Sequence, residues 1–220
     1  MNVGQEHKRP ALSEDTVAAF LVSGVLSAAH SFGLDISACM RAAVIAEAEL
    51  DNPTNRIEFP NFIRLLLFIQ QQARDDSIGL HIGRELAFAN YYALGYAAAN
   101  GDTLFDALQV LPRYESLVVS SANTEIIDLR HEVEVHWSLT GGIYLAMLED
   151  IFFASWITQG KQLAGTDELT TAVHFTHPAP DNPTRLMGLT CFSIRLSPKS
   201  FTTRIYSHSL FWSLTRLFTR

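Results

Sequence analysis

The sequence predicts an α+β fold: a mostly helical single domain with a small antiparallel sheet. Three observations carry that class. Apolar residues recur at helical spacing over most of the first 120 positions. The period then drops from 3.6 to 2 over about 124–139, which reads as a hairpin, and a further strand follows at about 171–176. Finally, 220 residues with 48% hydrophobic side chains are enough for one substantial core.

Residues 1–12 are polar and charged and read as a flexible leader. Ser13-Glu14-Asp15-Thr16 is expected to open the first helix, with its acidic groups set against the helix dipole. Val17, Phe20, Leu21, Gly24 and Ala28 form its stripe, and Gly33 stops it. Short helices follow over Asp35–Ala42 and Ala46–Leu50. Arg56 to Pro60 is extended and leads into a strong helix over Asn61–Arg74, with Phe62, Leu65, Leu66 and Ile69 inward. Asp76-Ser77-Ile78-Gly79-Leu80 starts the next helix, to about Leu86.

Tyr92 to Ala99 is rich in small residues, which lets another element approach its backbone closely. Asn100-Gly101 ends it and Asp102-Thr103 restarts a helix, with Asp106 completing a capping box on Thr103. Leu104, Leu108, Leu111 and Val118 mark the buried stripe, and Pro112 predicts a kink. Thr124–Leu129 and Glu132–Leu139 form the hairpin across Arg130-His131. Val133, Val135, Trp137 and Leu139 share one face, while Glu134, His136 and Ser138 share the other. Gly141-Gly142 breaks the strand. Ile143 to about Leu163, apolar on nearly all sides, is expected to be the most buried helix.

Charge is distributed unevenly. Six basic and no acidic residues fall in 182–220, so of 16 basic and 23 acidic side chains the first 181 residues hold 16 − 6 = 10 and 23, a balance of −13. An acidic body is repelled by phosphate backbones, so no DNA binding by this chain alone is expected. The basic Ser/Thr-rich segment 186–220 is either a solvated tail or a short nucleic-acid contact. No apolar run approaches the length of a membrane span, and two cysteines give neither a disulfide framework nor a metal spacing. A cytoplasmic protein without cofactors is the natural reading.

The chemistry-bearing residues argue against an enzyme. His174 and His177 lie three apart on a strand, so they point to opposite faces and make poor metal co-ligands. Ser116, Ser120 and Ser121 lack a nucleophile elbow, and Gly141-Gly142 is no phosphate loop. Glu149-Asp150 are helix neighbours that do not face each other, which disfavours paired acid–base work. The aromatic set offers more. Phe88, Tyr91, Tyr92, Tyr96, Tyr114 and Trp156 fall on segments expected to converge, and could wall a ligand pocket. Arg113 could anchor a carboxylate through its planar fork. Equally, such aromatics can be core and Arg113 a surface ion pair.

Leu94-Gly95-Tyr96-Ala97, the restart Thr103-Leu104-Phe105-Asp106-Ala107-Leu108, Arg113-Tyr114 and the downstream Val173-His174-Phe175-Thr176-His177-Pro178-Ala179-Pro180 occur in a telling order. With them, residues 17–185 resemble the N-terminal effector-sensing, arabinose-binding-like domain of AraC-type transcriptional regulators. The resemblance implies a domain over 13–185 that binds a small-molecule effector, such as an amino acid or another small metabolite, and forms a homodimer. It implies Phe88, Tyr92, Tyr96, Arg113, Tyr114 and Trp156 as ligand-binding candidates. In the family a C-terminal helix-turn-helix module binds DNA. Residues 187–220 depart from the family pattern, and no recognition helix is legible in the chain. A truncated regulator, a sensor-only relative or a frame disruption near Leu186 would each account for that. The alternative function is an interaction module that pairs with a full-length regulator and inhibits it.

Overall fold

In the computed structural model, which describes residues 14–128, 132–140, 145–166, 171–175, 191–194 and 201–206, the first described element is a strand rather than a helix. Thr16–Ala18 (β1) pairs antiparallel with Arg56–Glu58 (β2). On its other side, Ser120 N–H donates to Thr16 O at 2.9 Å and Ala18 N–H to Val118 O at 2.9 Å. The helix α1 therefore begins at Ala19 and runs to Ser31. Two flanking segments, both distant in sequence, recruit the backbone of Thr16 and Val17, and β-branched residues accept extended geometry readily. Gly33, at φ 84°, ends the turn after α1 as expected.

Ile36–Ala43 (α2) is capped by the Asp35 carboxylate, which accepts from Ala38 N–H at 3.1 Å. Glu47–Leu50 (α3) follows. Phe59–Ala73 (α4) starts two residues earlier than the sequence suggests, with Pro60 in its first turn where a missing N–H costs nothing. Its buried face is Phe59, Phe62, Leu65, Leu66 and Ile69. Ile78–Glu85 (α5) comes next, then a 3₁₀ turn over Phe88–Tyr91 and Tyr92–Ala99 (α6).

The expected single helix after Thr103 is broken in three: Leu104–Gln109 (α7), Leu111–Tyr114 (α8) and a 3₁₀ turn over Glu115–Leu117. The capping box forms, with Asp106 N–H donating to Thr103 Oγ1 at 3.1 Å and Thr103 N–H to Asp106 Oδ2 at 3.0 Å. Pro112 accounts for the break, since its ring clashes with the carbonyl four residues back and it donates no hydrogen bond.

Ala122–Asp128 (β3) and Glu132–Leu139 (β4) form the hairpin, with Thr124 opposite Trp137 and Ile126 opposite Val135. Ala146–Ala164 (α9) is the longest helix, closed by Gly165 at φ 63°. Thr171–Phe175 (β5) is the expected third strand. The sheet is larger than the sequence predicts, because Cys191–Ile194 (β6) and Phe201–Tyr206 (β7) join it in the order β3-β4-β7-β5-β6. All its pairs are antiparallel except β5–β6. β7 separates the hairpin from β5, so two strands come from the segment whose composition reads as a tail.

Close approach at two glycines ties α5 to α9. A Cβ on Gly79 would lie 2.9 Å from Met147 O, and one on Gly83 would collide with Ile151 O. The helices thus touch backbone to backbone, and α9 is driven into the centre of the molecule. Its other side meets the sheet through Trp137 and Phe152, whose ring centroids are 5.0 Å apart. Val133, Val135, Trp137 and Leu139 are all buried, the face expected for them. Among the described residues no helix is long and apolar enough to cross a membrane. The Arg130-His131 turn, Gly141-Gly142 and the His177-Pro178-Ala179-Pro180 segment lie outside the described residues.

Candidate functional site

The helix α9 carries a face that combines aromatic rings with a carboxyl group. Glu149, Phe152, Phe153 and Trp156 stand at i, i+3, i+4 and i+7, so they lie along one side of the helix. Trp156 packs on Phe152 (centroids 6.0 Å) and edge-on against Phe153 (5.6 Å), and Phe152 reaches Tyr91 (6.2 Å) as well as Trp137. Trp156 itself is half-buried, which leaves one edge of this aromatic group at the surface. Tyr91 is fully inside. Ser155 Oγ donates to Phe152 O at 2.9 Å, which leaves its lone pair to accept from Tyr91 O–H at 2.5 Å. Burial pushes the Tyr91 phenol well above its ordinary range and outweighs the bond to Ser155, so the hydroxyl stays a donor.

Glu149 is 1% exposed, and its Oε2 has no hydrogen-bond partner among the described residues. Removal from water raises its pKa to about 9, with the adjacent Asp150 charge adding to the shift. At neutral pH in the free protein this carboxyl is a neutral acid. The sequence does not single it out for binding, because vicinal carboxylates on a helix suggest no paired chemistry. The informative feature is context. A helix apolar on nearly all sides has no solvated face to offer, so a carboxyl within it has to be buried.

Of the sequence-predicted site residues, Phe88 and Trp156 are half-buried, Phe88 in the 3₁₀ turn that packs on α6. That contact is tight: a Cβ on Gly95 would overlap the Phe88 carbonyl. Tyr92 and Tyr96 are 45% and 60% exposed on α6, and Tyr92 stacks on Phe20 of α1 at 5.6 Å. Tyr92 also carries φ 47° and ψ −124°, a backbone conformation that glycine adopts readily and tyrosine does not. Arg113 and Tyr114 are exposed on α8, beside α6. The six therefore divide: Phe88 and Trp156 are partly buried, on the 3₁₀ turn and on α9, while Tyr92, Tyr96, Arg113 and Tyr114 are exposed on α6 and α8, two helices that pack on each other.

Other polar groups have structural duties. Buried Glu115 accepts from Thr124 N–H at 2.6 Å and from the Thr124 hydroxyl, tying the 3₁₀ turn to β3; desolvation raises its pKa in spite of those bonds. His136 is half-buried and sits 2.9 Å from Glu134. Arg56 donates to Thr16 Oγ1, Thr16 O, Leu117 O and, at 3.5 Å, Ser116 O, fastening β1 to the chain after α8. Among the described residues no three His, Cys, Asp or Glu side chains cluster as metal ligands.

A family model described as the arabinose-binding domain of AraC transcription regulators, N-terminal, matches residues 33–190. The chain belongs to that family. The matched span runs from the Gly33 stop through α9 to the threshold of β6, so it includes all six candidate residues and Glu149. Among curated proteins, this AraC-type domain is similar to the ornithine utilization regulator of Pseudomonas aeruginosa, with 23% identity over 173 residues, 78% of this chain and 51% of that protein. Among solved structures, it is similar to the transcriptional regulator CdpR of Pseudomonas aeruginosa. The TM-score is 0.57 at 12% identity, over 91% of this chain and 56% of that one. At that identity the likeness is one of fold. The chain spans about half the length of both relatives. The family is one of transcription regulators.

Proposed function

We propose that this chain senses a small-molecule effector and dimerises, and that effector binding controls transcription through a DNA-binding module of the AraC type. The observation that carries the proposal is the aromatic group around Trp156, part buried and part open, between α9, the Phe88–Tyr91 turn and the hairpin. Pockets for small molecules are mostly apolar with few polar groups, and this site has that make-up. Phe88 and Trp156 form its inner wall in this reading. Tyr92, Tyr96, Arg113 and Tyr114 flank its outer approach on α6 and α8. The strained backbone at Tyr92 supports the same location, because such strain concentrates at ligand sites and switches. Binding there would bias the packing of α6 on the turn, a two-state element of the kind an effector can shift.

The name of the ornithine utilization regulator makes amino acids the first effector class to test. A thermal-shift panel of amino acids, amines, organic acids and sugars on the full chain is the direct experiment, with light scattering for the oligomeric state. The expected result is saturable stabilisation by one chemical class and a mass twice that of the chain. A chain that no compound stabilises is not a sensor, and a monomer at every concentration removes dimerisation from the reading.

A further inference from the structure

Buried carboxyl groups in proteins are ordinarily hydrogen-bonded, and an unsatisfied buried oxygen costs free energy. Glu149 breaks that rule: its Oε2 is sealed from water and has no partner among the described residues. It is not placed among other polar groups on its own face of α9. The next residues along that face are Phe152, Phe153 and Trp156, and Phe152 is closed from the sheet side by Trp137. An acid one helical turn from a group of tilted and edge-packed rings offers too few hydrogen-bonding groups for the many hydroxyls of a sugar. It suits one chemistry well, since a carboxylate and π faces both attract a cation and neither does so at the expense of the other.

We propose that the Glu149 end of the α9 aromatic face is an anchor for a protonated primary amine, so that the effector class of this domain is an organic ammonium compound. The assignment rests on the effector-sensing reading above and adds to it the ligand chemistry and the anchoring residue. The ammonium group donates to Glu149 Oε2, and its carbon chain lies along Phe152 and Trp156 toward the half-buried edge of the indole. The amine enters as its neutral base and takes the Glu149 proton, so the bound pair is ammonium and carboxylate with the charge compensated inside the site. Asp150, the neighbouring acid, adds negative potential and favours the same charge type. The Arg113 fork, exposed on α8, is left to act on a different group of the ligand or on none.

The test uses the full chain and isothermal titration with a panel of primary amines: 1,4-diaminobutane, L-lysine, ethanolamine and phenylethylamine. 1,4-Butanediol and succinate are the neutral and anionic counterparts. At least one amine is expected to bind saturably, and both counterparts are not. Glu149→Gln keeps the shape of the side chain and is expected to weaken the amine at least tenfold, with Trp156→Leu weakening it severalfold. Unfolding curves of both variants verify that they are folded. If Glu149→Gln binds the amine as tightly as the parent chain, Glu149 is not the anchor. If no amine binds while a sugar or an organic acid does, the amine assignment falls and the sensing function stands. If nothing in either panel binds, both fall together.

Discussion

Replacing Glu149 by glutamine is expected to stabilise the ligand-free domain, and to do so in a pH-dependent way. The folded-state pKa is raised to about 9 from an ordinary 4.5, chiefly by burial. Between those values the unfolded chain releases this proton while the folded chain keeps it. The Glu149 contribution to stability is therefore highest below about pH 4.5, falls by about 1.4 kcal/mol per pH unit as pH rises, and levels off above about pH 9. At pH 7 the acid has crossed two and a half units of that window, which amounts to about 3 kcal/mol. Glutamine does not titrate, so Glu149→Gln removes the whole slope. Urea unfolding of both proteins at pH 4.5 and pH 7 measures the effect. The stabilities should nearly coincide at pH 4.5 and differ by about 3 kcal/mol at pH 7, a melting shift of about 6–12 °C for a domain of this size. An equal difference at both pH values would show that Glu149 is ionised and satisfied in the fold. The burial argument would then be wrong.

Two further outcomes follow from packing and from hydrogen bonding. Gly95→Ala is expected to lose about 2 kcal/mol or more in denaturant unfolding, because the atom in the way is the Phe88 backbone carbonyl, which has no rotamer to escape into; a loss under about 0.5 kcal/mol contradicts the packing of the turn on α6. Arg56→Ala should cost about 1–2 kcal/mol, since its fork joins Thr16 to the carbonyls of Leu117 and Ser116, and the freed acceptors can return partly to water. Arg56→Lys should restore little of it, because an ammonium cannot bridge those acceptors together, and full rescue by lysine would reduce Arg56 to a point charge.

Much of the helical half was legible because its information is local. Asp35, Thr103 and Asp106 cap the helices they were expected to cap, and Gly33 stops α1, since a cap needs only a side chain and a backbone group three residues away. The hairpin was legible for the same reason: Val133, Val135, Trp137 and Leu139 alternate along one strand, and its partner is next in sequence. The family was legible from short motifs in order, without any geometry.

Tertiary structure decided the rest. β1 replaced the first turn of a helix because Arg56–Glu58 and Val118–Ser120, far along the chain, take up the hydrogen bonds of Thr16 and Ala18. β7 inserted between β4 and β5, a pairing with no local trace, since strand order depends on partners some 70 residues apart in the ladder from Glu132 to Tyr206. The candidate residues followed the same division. Helical spacing could group Glu149 with Phe152, Phe153 and Trp156. Only the fold could cover that face with Trp137, remove Glu149 from water and leave one edge of Trp156 open. Burial is a property of what packs against a residue, and the residues that do so here come from another element altogether.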